Sequence, residues 1–414
     1  MSRHRFLIAS LALLLLIPAV AGASEKARLI RCPDLDPSGS RIAFSYQGDI
    51  WTAGIDGQGA RRITIHEAYE THPRWSPDGT QIAFSSNRYG NYDVYSVPFD
   101  GGMPNRLTWH SAADEVTDWS SKMGILFSSK RLFSTIDWDT ELMKVDPAGG
   151  TPSASIKATG REAVASPDGR FIAFIRGSCR VQRETYAGPA SRQVWLYDTK
   201  NDKYTLVTEA GAQHSMPRWA GPGALYYLSA APGRYNIFRV GVDEAGNVGE
   251  AAQVTSFTED GIRYFDVSEA GGVIVAEYQT GIYSMGLDGT GMKEIVVEVG
   301  TDYRFDPVVH QTYNGDITEY AVSPNGKYSA VGIHGEIFIT ENHKKKNRTV
   351  NVSESPWRDT DPVWTSDTTL VFLSDREGQY DIFMVESADD KEKDLFNTLK
   401  HRTIRVTSTD EDES

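Results

Sequence analysis

A short turn, Ser-Pro-Asp-Gly, recurs far apart along the chain and constrains the fold more than any other feature of the sequence. It occupies residues 76–79 and 166–169, and its variant Ser-Pro-Asn-Gly occupies residues 323–326. Proline at the second turn position presets φ, and glycine supplies the left-handed residue that closes a tight hairpin. Because a catalytic motif is not expected at every hairpin, the repeat indicates architecture rather than chemistry.

Units built on this turn can be aligned on one residue, apolar and often Trp, that precedes it. Neighbouring anchors lie roughly 40 to 55 residues apart, which accommodates four short strands with their turns and is typical of a β-propeller blade. We therefore predict an all-β fold whose main part is a six-bladed β-propeller of four-stranded antiparallel blades. The anchors are Leu35, Trp75, Trp119, Ala165, Trp219 and Val267.

A second array of similar units begins after a break in the pattern, with anchors at Val322 and Trp364. We predict that it forms the first two blades of a second, incomplete β-propeller. Two blades cannot cover both faces of their sheets, so we expect this segment to be less stable and to associate with itself or with a partner. The acidic end of the chain matches the polar connection between blades. The predicted ranges are 1–23 for a signal peptide, 24–298 for the first propeller, 299–315 for a connector and 316–414 for the second array.

The first 23 residues have the pattern of a secretory signal peptide. A basic head, 3–5, precedes an almost wholly apolar run, 6–20, and small residues follow at 21–23. The run is short for a transmembrane helix, which needs about 20 apolar residues, and no second run of that length follows. We expect an exported protein, periplasmic or secreted, with no transmembrane segment after cleavage.

Charge and cysteine content restrict the partners and the covalent framework. The formal net charge is −14, which argues against nucleic acid as a partner. The two cysteines, Cys32 and Cys179, lie in different predicted blades, so no disulfide is expected between them.

No motif for catalysis or for a metal occurs in the chain. There is no Gly-x-Ser-x-Gly elbow, no Cys-x-x-Cys and no phosphate loop. The segment 66–70 begins like a zinc-protease helix, but it ends in Glu70 instead of the second His. We predict no catalytic residue, no metal and no cofactor in these 414 residues.

Four histidines are the candidate peptide-binding residues. His66 and His110 occupy one repeat position, two residues after the Thr that ends an outer strand, while His72 and His214 precede inner-strand anchors. Such positions are compatible with a lining of the central channel or its mouth. The alternative is that the repeat position simply tolerates His. The long insertion 177–192 is either a rim loop that meets another domain or a solvated loop.

With its repeats aligned, the chain resembles the amino-terminal part of a tricorn-type protease. The segments that carry the resemblance are 74–88, 107–110 and 193–198, and segment 316–326 is similar to the entry to that family's second propeller. The blade motif itself is shared with TolB-like proteins. The resemblance implies a six-bladed propeller followed by a seven-bladed one.

The same resemblance places the catalytic Ser, His and Glu in later domains that these residues do not include. It implies propellers that route peptide into, and products out of, an enclosed active site. It also implies paired arginines that hold a substrate carboxylate in the approach to the third blade, where this chain has no Arg between 110 and 115.

Two functions therefore compete. The first is the non-catalytic gating and docking portion of an exported tricorn-like serine peptidase, with peptides and the peptidase domains as partners and no peptidase activity of its own. The alternative is a stand-alone TolB-like periplasmic propeller that binds other proteins. A site that decides between them is not evident from the residues alone.

Overall fold

A computed structural model describes residues 24–132, 139–300, 311–345, 348–409 and 411–413. Every helix or strand element in these ranges is a β-strand, so the predicted all-β fold is confirmed. The chain divides into two compact units, Met1–Arg304 and Phe305–Ser414. The predicted signal peptide, and residues 301–310 of the predicted connector, lie outside the described residues.

The first unit is built from antiparallel sheets whose strands follow one another in chain order. Four of the described sheets have four strands each. They are β2 (Arg31–Leu35), β3 (Arg41–Tyr46), β4 (Asp49–Gly54) and β5 (Arg61–Arg62); β6 (Glu70–Trp75), β7 (Gln81–Ser86), β8 (Asp93–Pro98) and β9 (Asn105–Arg106); β17 (His214–Trp219), β18 (Ala224–Ser229), β19 (Asn236–Gly241) and β20 (Ala252–Gln253); and β21 (Tyr264–Ser268), β22 (Val273–Tyr278), β23 (Gly281–Gly286) and β24 (Lys293–Glu294).

A continuous seven-stranded sheet contains two more repeats, because its long strand β13 belongs to both. The first part of β13 pairs with β12, and the part from Arg161 onwards pairs with β14. The described part of 24–300 therefore holds six four-stranded repeats. The strands are β10 (Asp114–Ser120), β11 (Gly124–Ser129), β12 (Thr140–Val145), β13 (Ser153–Ala165), β14 (Phe171–Arg176), β15 (Gln193–Asp198) and β16 (Lys203–Leu206).

The six repeats close into a ring. The first strand of each repeat contacts the first strand of the next, in the order β2, β6, β10, β13, β17 and β21, and β21 contacts β2 again. The two ends of the unit meet as well, since β1 (Ser24–Lys26) pairs with β25 (Glu298–Gly300). First strands arranged around an axis, with later strands outside them, define a β-propeller with a central channel.

Each sheet of the ring is covered on both faces by its neighbours. In β7, Ile82, Ala83 and Phe84 are 0% exposed although successive side chains point to opposite faces. The same holds for the corresponding strands of the other early repeats, such as Ile42, Ala43 and Phe44 in β3. Continuous apolar strands therefore pack in the ring's interior, and the turn between β6 and β7 is the repeated Ser-Pro-Asp-Gly.

Two hydrogen-bonded motifs recur at the strand ends. In the first motif, the hydroxyl of a Thr after the fourth strand accepts a hydrogen bond from a backbone N–H near the start of the third strand. Val94 donates to Thr108 Oγ1 over 2.9 Å, and Ile382 donates to Thr407 Oγ1 over 2.9 Å. A buried acid at the start of the first strand pairs with an Arg two residues after the second strand. Its members are Glu70 with Arg88, Asp114 with Arg131 and Asp359 with Arg376.

The second unit consists of two further four-stranded antiparallel sheets that share one apolar core. Residues of this core include Ile337, Ile339, Leu370, Phe372 and Phe383. The strands are β26 (Ile317–Val322), β27 (Tyr328–Ile333), β28 (Glu336–Glu341) and β29 (Thr349–Asn351) in one sheet, and β30 (Asp359–Ser366), β31 (Thr369–Ser374), β32 (Asp381–Ser387) and β33 (His401–Arg405) in the other.

The acidic end of the chain has the geometry of a connection between sheets. Glu413 donates its N–H to the carbonyl of Tyr380 over 2.8 Å. Asp114 makes the same bond to Tyr92 at the start of β10, also over 2.8 Å. This agreement supports the interpretation of the described residues 409 and 411–413 as part of the repeat.

Candidate functional site

Four of the six first strands of the ring share a bulge that lies three residues before the anchor. Cys32, His72, Glu162 and Met216 have φ between 50° and 56°, in the left-handed region that residues other than Gly rarely occupy. The pairing register shifts at the same four places. A bulge re-aims a side chain, and bulges are frequent next to functional sites.

Three of these bulge residues line a cavity of about 200 Å³ at one end of the channel, here called the upper cavity. Four arginines contribute to it, so its lining carries more positive than negative groups. The lining residues are His72, Arg74, Glu115, Val116, Thr117, Ser128, Thr140, Arg161, Glu162, Arg192, Met216, Arg218 and Tyr264.

Glu162 is the best-held acid of the upper cavity. Its carboxylate pairs with Arg192 and accepts the N–H of Met216 over 2.6 Å and the hydroxyl of Ser215 over 2.9 Å. Burial alone would raise the pKa of Glu162, but the charge of Arg192 and these hydrogen bonds hold the pKa below its usual value. Glu162 is therefore an anion that fixes Arg192 at the cavity wall.

His72 lies across the same cavity, in surroundings that favour the neutral imidazole. Burial lowers the pKa of His72, and the positive charges of Arg74 and Arg218 lower it further, against the opposing charge of Glu115. Its Nδ1 atom is buried and has no hydrogen-bond partner within the described residues. The Nε atoms of Arg161 and Arg192 are likewise buried without a partner there. The cavity thus presents buried polar atoms that no other described residue satisfies.

A ring of six residues, five of them charged, lies one step further along the channel, at the residue before each anchor. Three aspartates tie neighbouring sheets together through backbone N–H groups: Asp34 accepts from Trp75 over 2.8 Å, Asp118 from Ala165 over 2.8 Å, and Asp266 from Leu35 over 2.9 Å. We call this set the waist. In chain order its members are Asp34, Arg74, Asp118, Val164, Arg218 and Asp266.

Arg74 and Arg218 come from opposite sides of the ring and meet at Tyr264. Arg74 Nη2 donates to the Tyr264 hydroxyl over 2.5 Å, and Arg218 Nη2 donates to it over 3.2 Å. Arg74 is also tied to Asp34 over 2.5 Å and to the carbonyl of Thr117 over 2.7 Å. Arg218 Nε lies 3.5 Å from Asp266.

The waist holds three carboxylates against two guanidinium groups, and most of it is buried. Burial raises the pKa of Asp34 to about 7, although the charge of Arg74 opposes the rise. Burial raises the pKa of Asp118 as well, and it raises the pKa of Tyr264 to about 12. Burial is the main cause of both raised aspartate pKa values, and the neighbouring charge of Asp266 raises the pKa of Asp34 further.

A second cavity, of about 480 Å³, lies on the other side of the waist, among the repeated turns. We call it the lower cavity. Arg74 and Arg218 line both cavities. Three anchor tryptophans, Trp75, Trp119 and Trp219, line the lower one.

Of the four predicted peptide-binding histidines, His72 lines the upper cavity and the other three line neither cavity. His66 and His110 accept backbone N–H groups of their own loops, from Ala68 over 2.9 Å and from Ala112 over 3.0 Å. His214 is buried against Tyr227, with ring centroids 5.8 Å apart, and burial lowers its pKa to about 4. A peptide contact by any of the four stays a prediction.

The residues that sequence reasoning missed are the waist and the arginines of the upper cavity. A signal was present: the residue before each anchor is Asp, Arg, Asp, Val, Arg and Asp in the six repeats. Charged residues beside an apolar anchor in successive repeats indicate a shared axis. Arg161 and Arg192 have no such repeat position, and only the folded ring brings them together.

Several predicted absences can be examined in the described residues. Cys32 and Cys179 are both free thiols there. No group of three or more His, Cys, Asp or Glu side chains suited to a metal ion occurs in the described ranges. In those same ranges, no helix has the length and apolar character needed to cross a membrane.

The fold and the axial site define a β-propeller domain with a charged central channel. Residues 27–290 match the tricorn protease N-terminal beta propeller domain. The chain therefore belongs to that family, and the resemblance noted in the sequence is confirmed.

Curated relatives are much longer than the part of them that this chain matches. Tricorn protease homolog 1 of Streptomyces coelicolor is 38% identical over 199 residues, which cover 45% of this chain and 17% of the relative. Putative tricorn protease homolog 2 of the same organism is 30% identical over 237 residues, which cover 52% of this chain and 19% of the relative. The chain thus spans less than a fifth of either protein.

Solved structures agree on the fold. The crystal structure of the tricorn protease superposes with a TM-score of 0.61 at 17% identity, covering 93% of this chain and 36% of that one. TolB from Acinetobacter baumannii superposes with a TM-score of 0.52 at 17% identity, covering 64% of this chain and 65% of that one. At such identities the likeness concerns the fold.

Proposed function

We propose that this chain is the non-catalytic propeller portion of an exported tricorn-like serine peptidase, and that it admits peptides to, and docks onto, peptidase domains. Family membership supports the link to proteolysis. The observation that carries the proposal is the upper cavity, where buried polar groups without partners line the axis of the ring.

The chemistry of the upper cavity suits a peptide end or a polar side chain. Arg192 and Arg161 supply N–H groups for a carboxylate or a backbone carbonyl. Glu115 is exposed on the rim and suits a cationic group. Met216 and Val116 supply apolar wall. Clefts that combine a few convergent polar groups with apolar surface are typical ligand sites.

A binding experiment tests the peptide role. Fluorescence anisotropy of a labelled peptide library is measured with the purified chain, and then with the double variant Arg192→Met, Glu162→Gln. This variant removes both partners of the ion pair, so neither charge is left buried alone. We expect at least a tenfold loss of peptide affinity.

The matched control removes the ion pair of Arg170 and Asp198, 3.3 Å apart, which lines neither cavity. Arg170→Met, Asp198→Asn should leave peptide affinity unchanged. Equal affinity for the site variant and the wild type would place peptide binding elsewhere. Absence of peptide binding, together with stable capture of a folded protein through the ring, would favour the TolB-like alternative.

Catalysis is tested separately. We expect the purified chain to hydrolyse no short peptide. Turnover that a serine-directed inhibitor abolishes would contradict the non-catalytic role. Fractionation of cells that express the chain with residues 1–23 intact tests export, and retention of the unprocessed chain in the cytoplasm would contradict it.

A further inference from the structure

The channel of the ring is obstructed at its waist by side chains, and not by backbone. Arg74 on β6 and Arg218 on β17 belong to the second and fifth of the six repeats, which lie opposite each other in the ring. Their guanidinium groups both donate to the hydroxyl of Tyr264, and both lie over its ring, 5.5 Å and 5.4 Å from the centroid. This three-residue bridge is called the strut.

The strut separates the two cavities. Arg74 and Arg218 line both of them, whereas His72 and Glu162 line only the upper one and Trp75 and Trp119 only the lower one. The strut residues are themselves buried, and Arg74 contacts three other sheets through Asp34, Thr117 and Tyr264. A side-chain barrier of this kind can part by rotamer changes, which a continuous backbone cannot.

We propose that the Arg74–Tyr264–Arg218 strut is a closed gate, so that the ring in this state presents two blind cavities and not a through-channel. A ligand enters each cavity from its own mouth. Passage of a chain from one mouth to the other requires both arginines to leave Tyr264. The inference rests on the proposed function only in taking a peptide as what would pass.

The waist supplies the forces that hold the gate. Asp34 and Asp266 attract the two guanidinium groups from the lower side, and the hydroxyl of Tyr264 accepts from both. The charged and titratable groups that face the strut come from β2, β6, β10, β17 and β21, with one more acid on β13. They are Cys32, Asp34, His72, Asp118, Glu115, Glu162 and Asp266, together with the strut itself.

Cross-linking through the channel tests the gate without any peptide. Glu115 is exposed in the lining of the upper cavity, and Ser121 is exposed in the lining of the lower one. They lie at opposite ends of β10, about 20 Å apart at ~3.3 Å per residue. In a Cys32→Ser, Cys179→Ser background, cysteines replace both residues and a bis-maleimide of about 20–25 Å is added. A linker of that length joins them along the channel, since the outside route passes round a whole sheet.

With the strut intact, each cysteine should react with a single maleimide, but the two should not be joined. The open variant carries Arg74→Met, Arg218→Met and Tyr264→Phe, together with Asp34→Asn and Asp266→Asn, which remove the carboxylates that form ion pairs with the two arginines. It should form the intramolecular link at least tenfold faster. Tyr264→Phe alone removes only the shared hydroxyl, and it should give an intermediate rate in a protein close to the wild-type fold.

Equal rates with the strut intact and with Tyr264→Phe would overturn the proposal: a shared rapid link would show an open channel, and a shared absence of the link would show that the Tyr264 hydroxyl does not hold the barrier. No link in the open variant, with both cysteines still reactive, would also overturn it, because another group would be the barrier. If the open variant does not fold, the comparison of the intact strut with Tyr264→Phe decides. A failed gate leaves the peptide-affinity experiment unaffected, so the two proposals fail separately.

Discussion

The sheets of the first unit and those of the second have the same repeat but different burial. The anchor and the acid–Arg pair recur in both, so that Phe84 corresponds to Phe372 and Arg88 to Arg376, although the turn from the anchor to its paired residue is one residue shorter between β30 and β31 than between β6 and β7. In β7 of the ring every side chain from Ile82 to Ser86 is buried. In β31 of the second unit the pattern alternates, with Leu370 and Phe372 buried and Val371 and Leu373 only half-buried.

Local sequence therefore specifies the strands and turns of a blade, whereas packing against adjacent sheets stabilises the blade. Each sheet of the ring lies between two others, whereas the sheet β30–β33 packs on one described neighbour. Repeat architectures gain much of their free energy of folding from such interfaces. The second unit therefore has the same strands with less buried apolar area per residue.

The largest expected effect is a difference in resistance to proteolysis and denaturant. We expect limited proteolysis to cut first between residues 296 and 314 and then within 316–414, leaving a resistant fragment from about residue 24 to about residue 298. Mass spectrometry of a time course gives the order of cuts. Equal resistance of both units in a dilute monomer would show that the second unit is self-sufficient.

Truncation of the corresponding buried Phe should lower the free energy of unfolding more in the ring than in the second unit. Phe84→Ala should lower the free energy of unfolding of the ring by about 3–5 kcal/mol, because a fully enclosed cavity remains. Phe372→Ala, at the corresponding and 1% exposed position, should cost less, because the half-covered sheet can relax around the gap. Denaturant titration of each variant, followed by fragment-specific hydrogen exchange, measures both values. An equal loss at the two positions would contradict the explanation by neighbours.

The waist should give the ring a pH dependence of stability that is centred on Asp34. The pKa of Asp34 is raised from 3.8 to about 7 in the folded state, so the native state binds the proton more tightly than the unfolded chain. Its contribution to stability is therefore greatest at low pH and is lost as the pH rises from about 4 to about 7. Asp34→Asn should flatten this slope, by on the order of 2–4 kcal/mol over that range.

Chemical denaturation at pH 4, 5, 6, 7 and 8 measures the slope. Asp168→Asn is the control, because hydrogen bonds from Ser166 and Arg170 hold the pKa of Asp168 below its usual value. The stabilisation from the Asp168 carboxylate is complete above pH 4. Above pH 5, the free energy of unfolding of Asp168→Asn should therefore vary with pH as it does in the wild type. An Asp34→Asn slope identical to that of the wild type would remove Asp34 from the proton balance of the waist.

The smallest effect is expected from a Val→Thr substitution on the sheet face that is fully covered in the ring and only partly covered in the second unit. Val94 is 0% exposed, and Val371 is half-buried on the less covered face of β31. Val94→Thr should cost about 1–3 kcal/mol, since it buries a hydroxyl, and Val371→Thr less than about 1 kcal/mol. Thermal and denaturant unfolding of the two variants suffice, and a larger cost at Val371 would show that a partner covers that face in solution.

The repeated turn, the apolar strands and the anchors could be recognised from the sequence because their signals are local. Proline and glycine specify the hairpin within four residues. The strand that follows each turn is recognised from its own short run of apolar residues. The all-β fold and the family follow from these signals, and both are confirmed. The histidines chosen as channel residues show the limit of that reasoning, because only His72 lines a described cavity of the channel.

The sequence by itself thus determined the type of repeat, its strand order and the identity of the residue before each anchor. Only the closed ring decided that Arg74 meets Tyr264, 190 residues later, and that Arg161 and Arg192 share a cavity with His72. The physical reason is that a hairpin is specified by neighbouring residues, whereas the axis of a propeller exists only when the last sheet packs against the first. Charge, burial and altered pKa values at the waist are properties of that axis, and no single blade contains them.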